Sequence, residues 1–254
     1  MISAYEAPDV EIVNDLIEEL VLSLKRQTRG PSIVRAAMAH LNFTMIHPFS
    51  DGNGRLARAV QTLVLASDGI LDPVFSSIEE WLGANIQSYY DVLAEVGKEK
   101  WNPTNDALPW VRYCLRAHYQ QAARMIRRVQ EADALYNKIM DIIAKHGLNE
   151  RFWFPMFDAA LGIRVSNSRY RRDTEVTEIT ASRDLKRLCE ANLLLPHGER
   201  KMRTYSAAPA LLEARKSIRI QRVVDDPYEV VKSRFRRAQR LAEEERQSPR
   251  LPGL

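Results

Sequence analysis

Ten positions between 47 and 58 gather most of the reactive chemistry of this 254-residue chain: His47-Pro48-Phe49-Ser50-Asp51-Gly52-Asn53-Gly54-Arg55, and Arg58 three residues on. His47 is an imidazole, the side chain suited to taking a proton from an attacking hydroxyl near neutral pH. Asp51 is a hard oxygen ligand suited to one Mg²⁺ that also touches phosphate oxygens. Arg55 and Arg58 share a helix face and can clamp phosphate with charge that does not titrate away. Together they divide the work of a nucleotidyl or phosphoryl transfer.

Two helices must position these groups. Apolar residues recur at helical spacing from Ile33 through Val34, Ala37, Met38, Leu41 and Met45, and again at Leu56, Ala59, Val60, Leu63 and Val64. Pro48 cannot continue the first helix, so the chain leaves helical geometry near His47. Gly52 and Gly54 let the backbone turn and approach a ligand closely. A second helix starting near Asn53 to Arg55 aims its unpaired amides and positive dipole end at that turn, where an anion is expected.

The stretch resembles the Fic (filamentation induced by cyclic AMP) motif, H-P-F-x-D/E-G-N-G/K-R-x-x-R, and matches every specified position. The run Ala36 to Ile46 resembles the helix preceding that motif, and residues 1–120 resemble the all-helical Fic core. The resemblance implies a protein adenylyltransferase that moves AMP from ATP to a Ser, Thr or Tyr hydroxyl of a target protein. His47 would be the general base and Asp51 would hold Mg²⁺. Gly52, Asn53, Gly54, Arg55 and Arg58 would bind the nucleotide, with Phe49 a buried anchor of the loop. Related Doc-type toxins carry lysine where this chain has Gly54 and transfer the γ-phosphate, so Gly54 favours AMP transfer.

Two family features are not found in the sequence. A β-hairpin flap that docks targets by strand addition would be reduced to one strand over Ile2 to Ala7, which predicts weakened target capture. The self-inhibitory pattern [S/T]-x-x-x-E-[G/N], whose glutamate pairs with the second motif arginine, does not occur; the expectation is that a separate antitoxin supplies it or that it was lost with the N-terminus, and an antitoxin or self-association is among the expected partners. His40, seven residues before His47, is read as a core or supporting residue rather than a metal ligand, because the helix breaks between the two. Tyr89 and Tyr90 read as packing, or as a lining for the base.

The rest of the chain is an ordinary packed protein with 45% hydrophobic residues. It has no apolar run long enough to span a bilayer and no signal peptide, so the expectation is a cytoplasmic protein without a membrane partner. Cys114 and Cys189 give neither a disulfide framework nor metal spacing. Charge divides the chain. Residues 1–109 hold 8 Lys+Arg against 15 Asp+Glu and the remainder 29 against 18, net −7 and +11, so the basic part is expected to meet a different partner.

The fold class expected is mainly α: a Fic domain over 1–125, a winged helix-turn-helix domain with a small β-hairpin over 130–210, and a charged helical or partly disordered tail over 211–254. A helix after the Asn102–Asn105 turn runs from Trp110 toward Val129. Then Leu135, Ile139, Ile142 and Ile143 mark a helix stopped by Gly147, and Phe154, Phe157 and Leu161 mark another stopped by Gly162. In Thr180 to Leu188, Ile179, Leu185 and Leu188 are expected inward, with Arg183, Lys186 and Arg187 outward as possible DNA contacts. A hairpin over Leu193 to Ser206 follows. Helix, helix, basic helix, hairpin is the winged-helix order. Arg169, Arg171, Arg172, Arg200, Lys201 and Arg203 would add phosphate contacts. The alternative function is therefore a DNA-binding regulator, on duplex DNA, whose Fic core senses nucleotide or has weak activity.

Overall fold

The structure, a computed structural model, describes residues 5–26, 30–72, 75, 77–199, 202–218 and 224–247. The chain divides into two compact units, residues 1–125 with 223–254, and residues 126–222. No helix among the described residues is long and apolar enough to cross a membrane.

In the first unit, α1 (Val10–Lys25), α2 (Ser32–Ile46) and α3 (Asn53–Ser67) precede α4 (Glu79–Ala84), α5 (Ile86–Gly97) and the opening turns of α6 (Leu108–Lys145). Small residues let α2 and α3 approach. Ala36, Ala39 and Ala57 are almost wholly inaccessible, and Phe43, Ile46, Val64 and Leu65 fill the space around them. The adjoining face of α2, with Ala37 and Leu41, meets Trp81, Tyr89, Leu93, Trp110 and Cys114. Buried Trp110 satisfies its indole N–H on the Ala37 carbonyl at 2.7 Å.

The strand expected over Ile2 to Ala7 begins outside the described residues. Glu6 pairs with Lys100 in a parallel bridge, its N–H on the Glu99 carbonyl and its carbonyl taking the Trp101 N–H, both at 2.8 Å. The Tyr5 hydroxyl donates to the Met45 carbonyl at 2.7 Å. Residue 6 is thus tied to the 99–101 segment.

Where the sequence suggested separate helices ending near Val129 and beginning near Leu135, α6 is continuous. Gln130-Glu131-Ala132-Asp133-Ala134 offers no glycine or proline to break it. The boundary expected for the tail, residue 211, falls inside a packed helix. Residues 209–217 form α10 (Pro209–Ser217), and Leu211 is fully buried in the second unit's core. A 21-residue helix, α11 (Pro227–Gln247), follows. Its first turn is held within the first unit: Tyr228 donates to the Arg112 carbonyl at 3.1 Å, and Arg116 pairs with Asp226 at 2.9 Å while lying over the Tyr228 ring. Pro249 to Leu254 lie outside the described residues.

The second unit packs Leu135, Ile139 and Ile143 of α6 against α7 (Trp153–Ala160), α8 (Asn167–Thr174) and α9 (Glu178–Glu190). Its sheet comprises β1 (Val165–Ser166), β2 (Leu194–His197) and β3 (Thr204–Ala207), antiparallel in the order β1-β3-β2. Asn192 supplies the left-handed turn between α9 and the hairpin, with φ 56°.

Helix α8 was not legible as a helix. Its sequence N-S-R-Y-R-R-D-T buries only Tyr170, so it has no apolar stripe, and Ser166 starts it by accepting the Arg169 N–H. One residue of the basic helix is corrected: Ile179 is 65% exposed. The buried stripe of α9 is Ala181, Asp184, Leu185 and Leu188, and Ile179, two positions before Ala181, turns away from it. Asp184 is tolerated inside because Arg151 grips both its oxygens, at 2.7 and 2.9 Å, and Tyr170 donates to it at 3.0 Å.

Candidate active site

Helix α2 ends at Ile46, and His47 caps it in the left-handed region at φ 52°. The turn swings the imidazole to the surface, where Nδ1 lies 3.3 Å from the Thr44 carbonyl. A carbonyl only accepts, so Nδ1 is the donor in this contact. Gly52, at φ 88°, then turns the chain into α3.

Asn53, the first residue of α3, is 3% exposed, and its amide is committed to the loop. Its Oδ1 accepts the Phe49 N–H at 3.0 Å while its Nδ2 donates to the Phe49 carbonyl. The side chain named as a nucleotide contact is therefore a brace across the 49–53 turn. Asn53→Ala should strip both partners from Phe49 and cost about 1–3 kcal/mol, measurable by urea unfolding; an unchanged midpoint would contradict the brace. Phe49 itself is corrected. It is 51% exposed, with its ring only grazing Phe43 at 6.3 Å between centroids, so Asn53 rather than a buried phenyl ring holds the loop.

Asp51 and Arg55 stand in solvent and face each other across one helical turn at 3.2 Å. Asp51 also accepts the Gly52 N–H at 2.7 Å. An ion pair this exposed is weak and opens at little cost to an incoming ligand. No group of three or more His, Cys, Asp or Glu able to hold a metal occurs among the described residues. The donor set fits Mg²⁺ that arrives with phosphates and water as its other ligands, not a resident all-protein site.

Arg58 lies one turn deeper, only 23% exposed, in an ion pair with Glu79 at the start of α4. The sequence pattern for a glutamate on this arginine is absent, yet the fold supplies one from another element. A phosphate would compete with Glu79 for the guanidinium. Glu79→Gln should therefore tighten ATP binding by about threefold, the scale of a half-exposed ion pair; calorimetry showing unchanged or weaker binding would argue against the competition. Gly54 leaves the space beside Arg58 open, since a Cβ there would stand 3.5 Å from its guanidinium and 3.9 Å from the Tyr89 hydroxyl.

Four buried polar residues form a line nearby; from the sequence Tyr89 and His40 read as packing, lining or supporting residues, and Gln61 and His118 had no reading. Tyr89, buried rather than lining an open base pocket, meets His40, and His40 continues to Gln61 and His118. Only their burial as polar groups marks them, and burial is not visible in a sequence. A cavity of 390 Å³ between α1, α2 and residues 101–107 contains none of the motif side chains.

In the second unit the basic run on α8 is largely neutralised. Arg169 pairs with Asp158, Arg171 with Glu178 at 3.6 Å and Arg172 with Asp173 at 3.5 Å. On α9, Arg183 is exposed, Lys186 pairs with Glu190 at 3.5 Å, and Arg187 reaches the Gly147 carbonyl at 3.4 Å. Arg200 and Lys201 lie outside the described residues.

Comparison with known proteins finds similarity over the segment that carries the motif. Residues 2–65 match the Fic/DOC family. The chain is 30% identical over 80 residues to a protein named probable protein adenylyltransferase from Aquifex aeolicus, covering 32% of this chain and 25% of that one. It is 32% identical over 85 residues to a protein adenylyltransferase of Caenorhabditis elegans, covering 32% of this chain and 16% of the relative. A third, from Caenorhabditis briggsae, is 35% identical over 63 residues, 24% of this chain and 12% of its own length. The chain thus spans a quarter or less of the curated relatives it matches. A solved Fic family protein from Desulfovibrio desulfuricans G20 aligns over 80% of this chain and 57% of its own, with 22% identity and a TM-score of 0.43. The matched residues 2–65 include the loop and the helix start described above.

Proposed function

We propose that this chain is a protein adenylyltransferase, transferring AMP from ATP to a hydroxyl of a target protein. The observation that carries this reading is the junction of α2 and α3. There an exposed imidazole, held through Nδ1, stands before a 15-residue helix bearing Arg55 and Arg58. His47 Nε2 takes the proton of the target hydroxyl as its oxygen bonds the α-phosphorus. The bond from that phosphorus to the bridging oxygen breaks, and pyrophosphate leaves with the electron pair. The first amides of α3 and the two guanidinium groups receive the phosphate charge, fixed in place before the reaction. Asp51 is the residue that would hold Mg²⁺, whose charge would offset that of the phosphates. Gly52 and Asn53 contribute by shaping the loop.

Transfer of AMP rather than phosphate is supported by the resemblance, in which Gly54 stands where phosphate-transferring relatives carry lysine. The printed names of the relatives agree. The experiment is incubation of the chain, Mg²⁺ and candidate target proteins with ATP labelled at the α- or the γ-phosphate. Label retained from the α position alone is expected. Retention of γ-label would mean phosphoryl transfer and overturn the reading.

A second reading concerns residues 126–222. The order α7, β1, α8, α9 and the β2-β3 hairpin supports a winged helix-turn-helix. Ile179, Ser182, Arg183 and Lys186 are exposed together on α9, a face that could meet duplex DNA in a regulator. Fluorescence anisotropy with duplex DNA at increasing salt tests it. Binding that is lost in Arg183→Ala and falls steeply with salt supports it, while no binding at low salt overturns it.

A further inference from the structure

After its first turn α11 stands clear of the core. Tyr228 holds its start to the Arg112 carbonyl, but every residue from 231 to 240 is exposed, Phe235 to 67%. A helix in a protein takes most of its stability from packing an apolar face on something else. Val231, Phe235 and Ala238 recur at spacings of four and three and make such a face, yet Val231 and Phe235 stand open to solvent. Beside them runs a row of cations. Lys232, Arg236 and Arg240 are spaced by four, with Arg237 three before Arg240, and no acid lies between Glu229 and Glu243. Like charges at these spacings repel one another along a helix. Lys232 has Glu229 at 2.7 Å, but among the described residues Arg236 and Arg237 have no carboxylate partner.

Helix α1, in the same unit, carries the inverse pattern. Its inner side packs Val13, Leu16, Ile17, Leu20 and Leu24. On its outer side Glu11, Asp15, Glu18 and Glu19 are exposed at spacings of three and four, so they too repel. Among the described residues none of the four has a cation partner. Leu22, 49% exposed, extends the acidic face by one turn. The acidic row from Glu11 to Glu19 and the basic row from Lys232 to Arg240 have the same length, about 12 Å at 1.5 Å per residue.

We propose that α11 of one copy docks on α1 of a second copy, basic row against acidic row. Within a single copy both rows are exposed, so they do not neutralise each other there. Across two copies the repulsion inside each row becomes attraction between rows. Set antiparallel, with the helix dipoles opposed, the rows bring Leu22 toward Val231 and shield both from water. Each copy offers both rows, so a two-fold dimer makes the contact twice. Duplex DNA would satisfy the arginines but leave Val231 and Phe235 in water, whereas α1 supplies carboxylates and exposed apolar side chains together. The contact uses no residue of the 47–58 segment and stands apart from the transfer reaction.

Sedimentation equilibrium of the full chain tests it. A dimer is expected at low salt, weakening by about tenfold or more near 1 M NaCl, where screening acts within about 3 Å. Two reversed chains are then compared, one with Arg236→Glu and Arg240→Glu, the other with Asp15→Arg and Glu18→Arg. All four positions are exposed, and circular dichroism checks that each chain stays folded. Each alone should dimerise at least about tenfold more weakly, since several exposed pairs are lost and turned repulsive. Mixed in equal amounts, the two should dimerise again, because the acidic α1 of the first meets the basic α11 of the second and the reversed rows meet in the other contact. A monomeric unaltered chain, a dimer indifferent to both reversals, or a mixture that stays monomeric overturns the proposal. So does a chain that remains monomeric while it binds duplex DNA or phosphatidylglycerol vesicles through Arg236 and Arg240.

Discussion

Replacing His47 by alanine is expected to reduce transfer of α-labelled adenylate by ~10²–10⁴-fold, the usual contribution of a general base, while ATP binding stays within about twofold. The separation follows from where the ring stands. Its Nδ1 is tied to the Thr44 carbonyl, and among the described residues no hydrogen bond links it to Asp51, Arg55 or Arg58. Removing it therefore takes away the proton acceptor but leaves the anion site. The backbone needs a control, because His47 is left-handed at φ 52° and alanine is strained there. His47→Asn tolerates that conformation better while supplying no base, and it should be as inactive as the alanine variant with a smaller loss of stability. Rapid transfer by either folded variant would remove His47 from the reaction.

The second large effect is a loss of stability in mild acid. Burial pushes both His40 and His118 down to about 4 from the usual 6.5, and Arg58 adds to the depression at His40. Both rings are neutral in the folded chain and titrate near 6.5 once it unfolds. Between pH 6.5 and 4 the unfolded state binds the extra protons, so stability is full above that window and falls as pH drops through it. At ~1.4 kcal/mol per pKa unit, each histidine contributes a loss of about 3 kcal/mol by the bottom of the window. Urea unfolding at pH 7.5, 6, 5 and 4.5 should show the decline, reduced in His118→Gln. A flat profile between pH 7 and 5 would mean that these rings are not buried neutral.

The same protons disturb hydrogen bonding: a second proton on His118 would set a donor against the Gln61 amide nitrogen, 2.9 Å from its Nε2.

The candidate site was readable because its chemistry is local. His47 to Arg58 fits within two helix ends and a turn, and the geometry of such a segment is dictated by its own residues. Pro48 cannot continue a helix, Gly52 can turn left-handed, and α3 has to present its first amides to whatever lies before it. The periods of α2 and α3 and the hairpin were legible for the same reason.

What escaped the sequence depends on contacts between distant parts of the chain. Glu79 reaches Arg58 across 21 positions, and the His40, Gln61, Tyr89 and His118 line spans up to 57 between partners; no local pattern encodes either. Residue types alone also misjudged burial. Phe49 and Ile179 looked like core residues and are exposed, while Leu211 looked like the start of a tail and is fully buried. Composition and local backbone preference specify which groups can react and how a turn bends. Which carboxylate occupies an arginine, and which apolar side chain finds a partner, is decided only when separate helices pack.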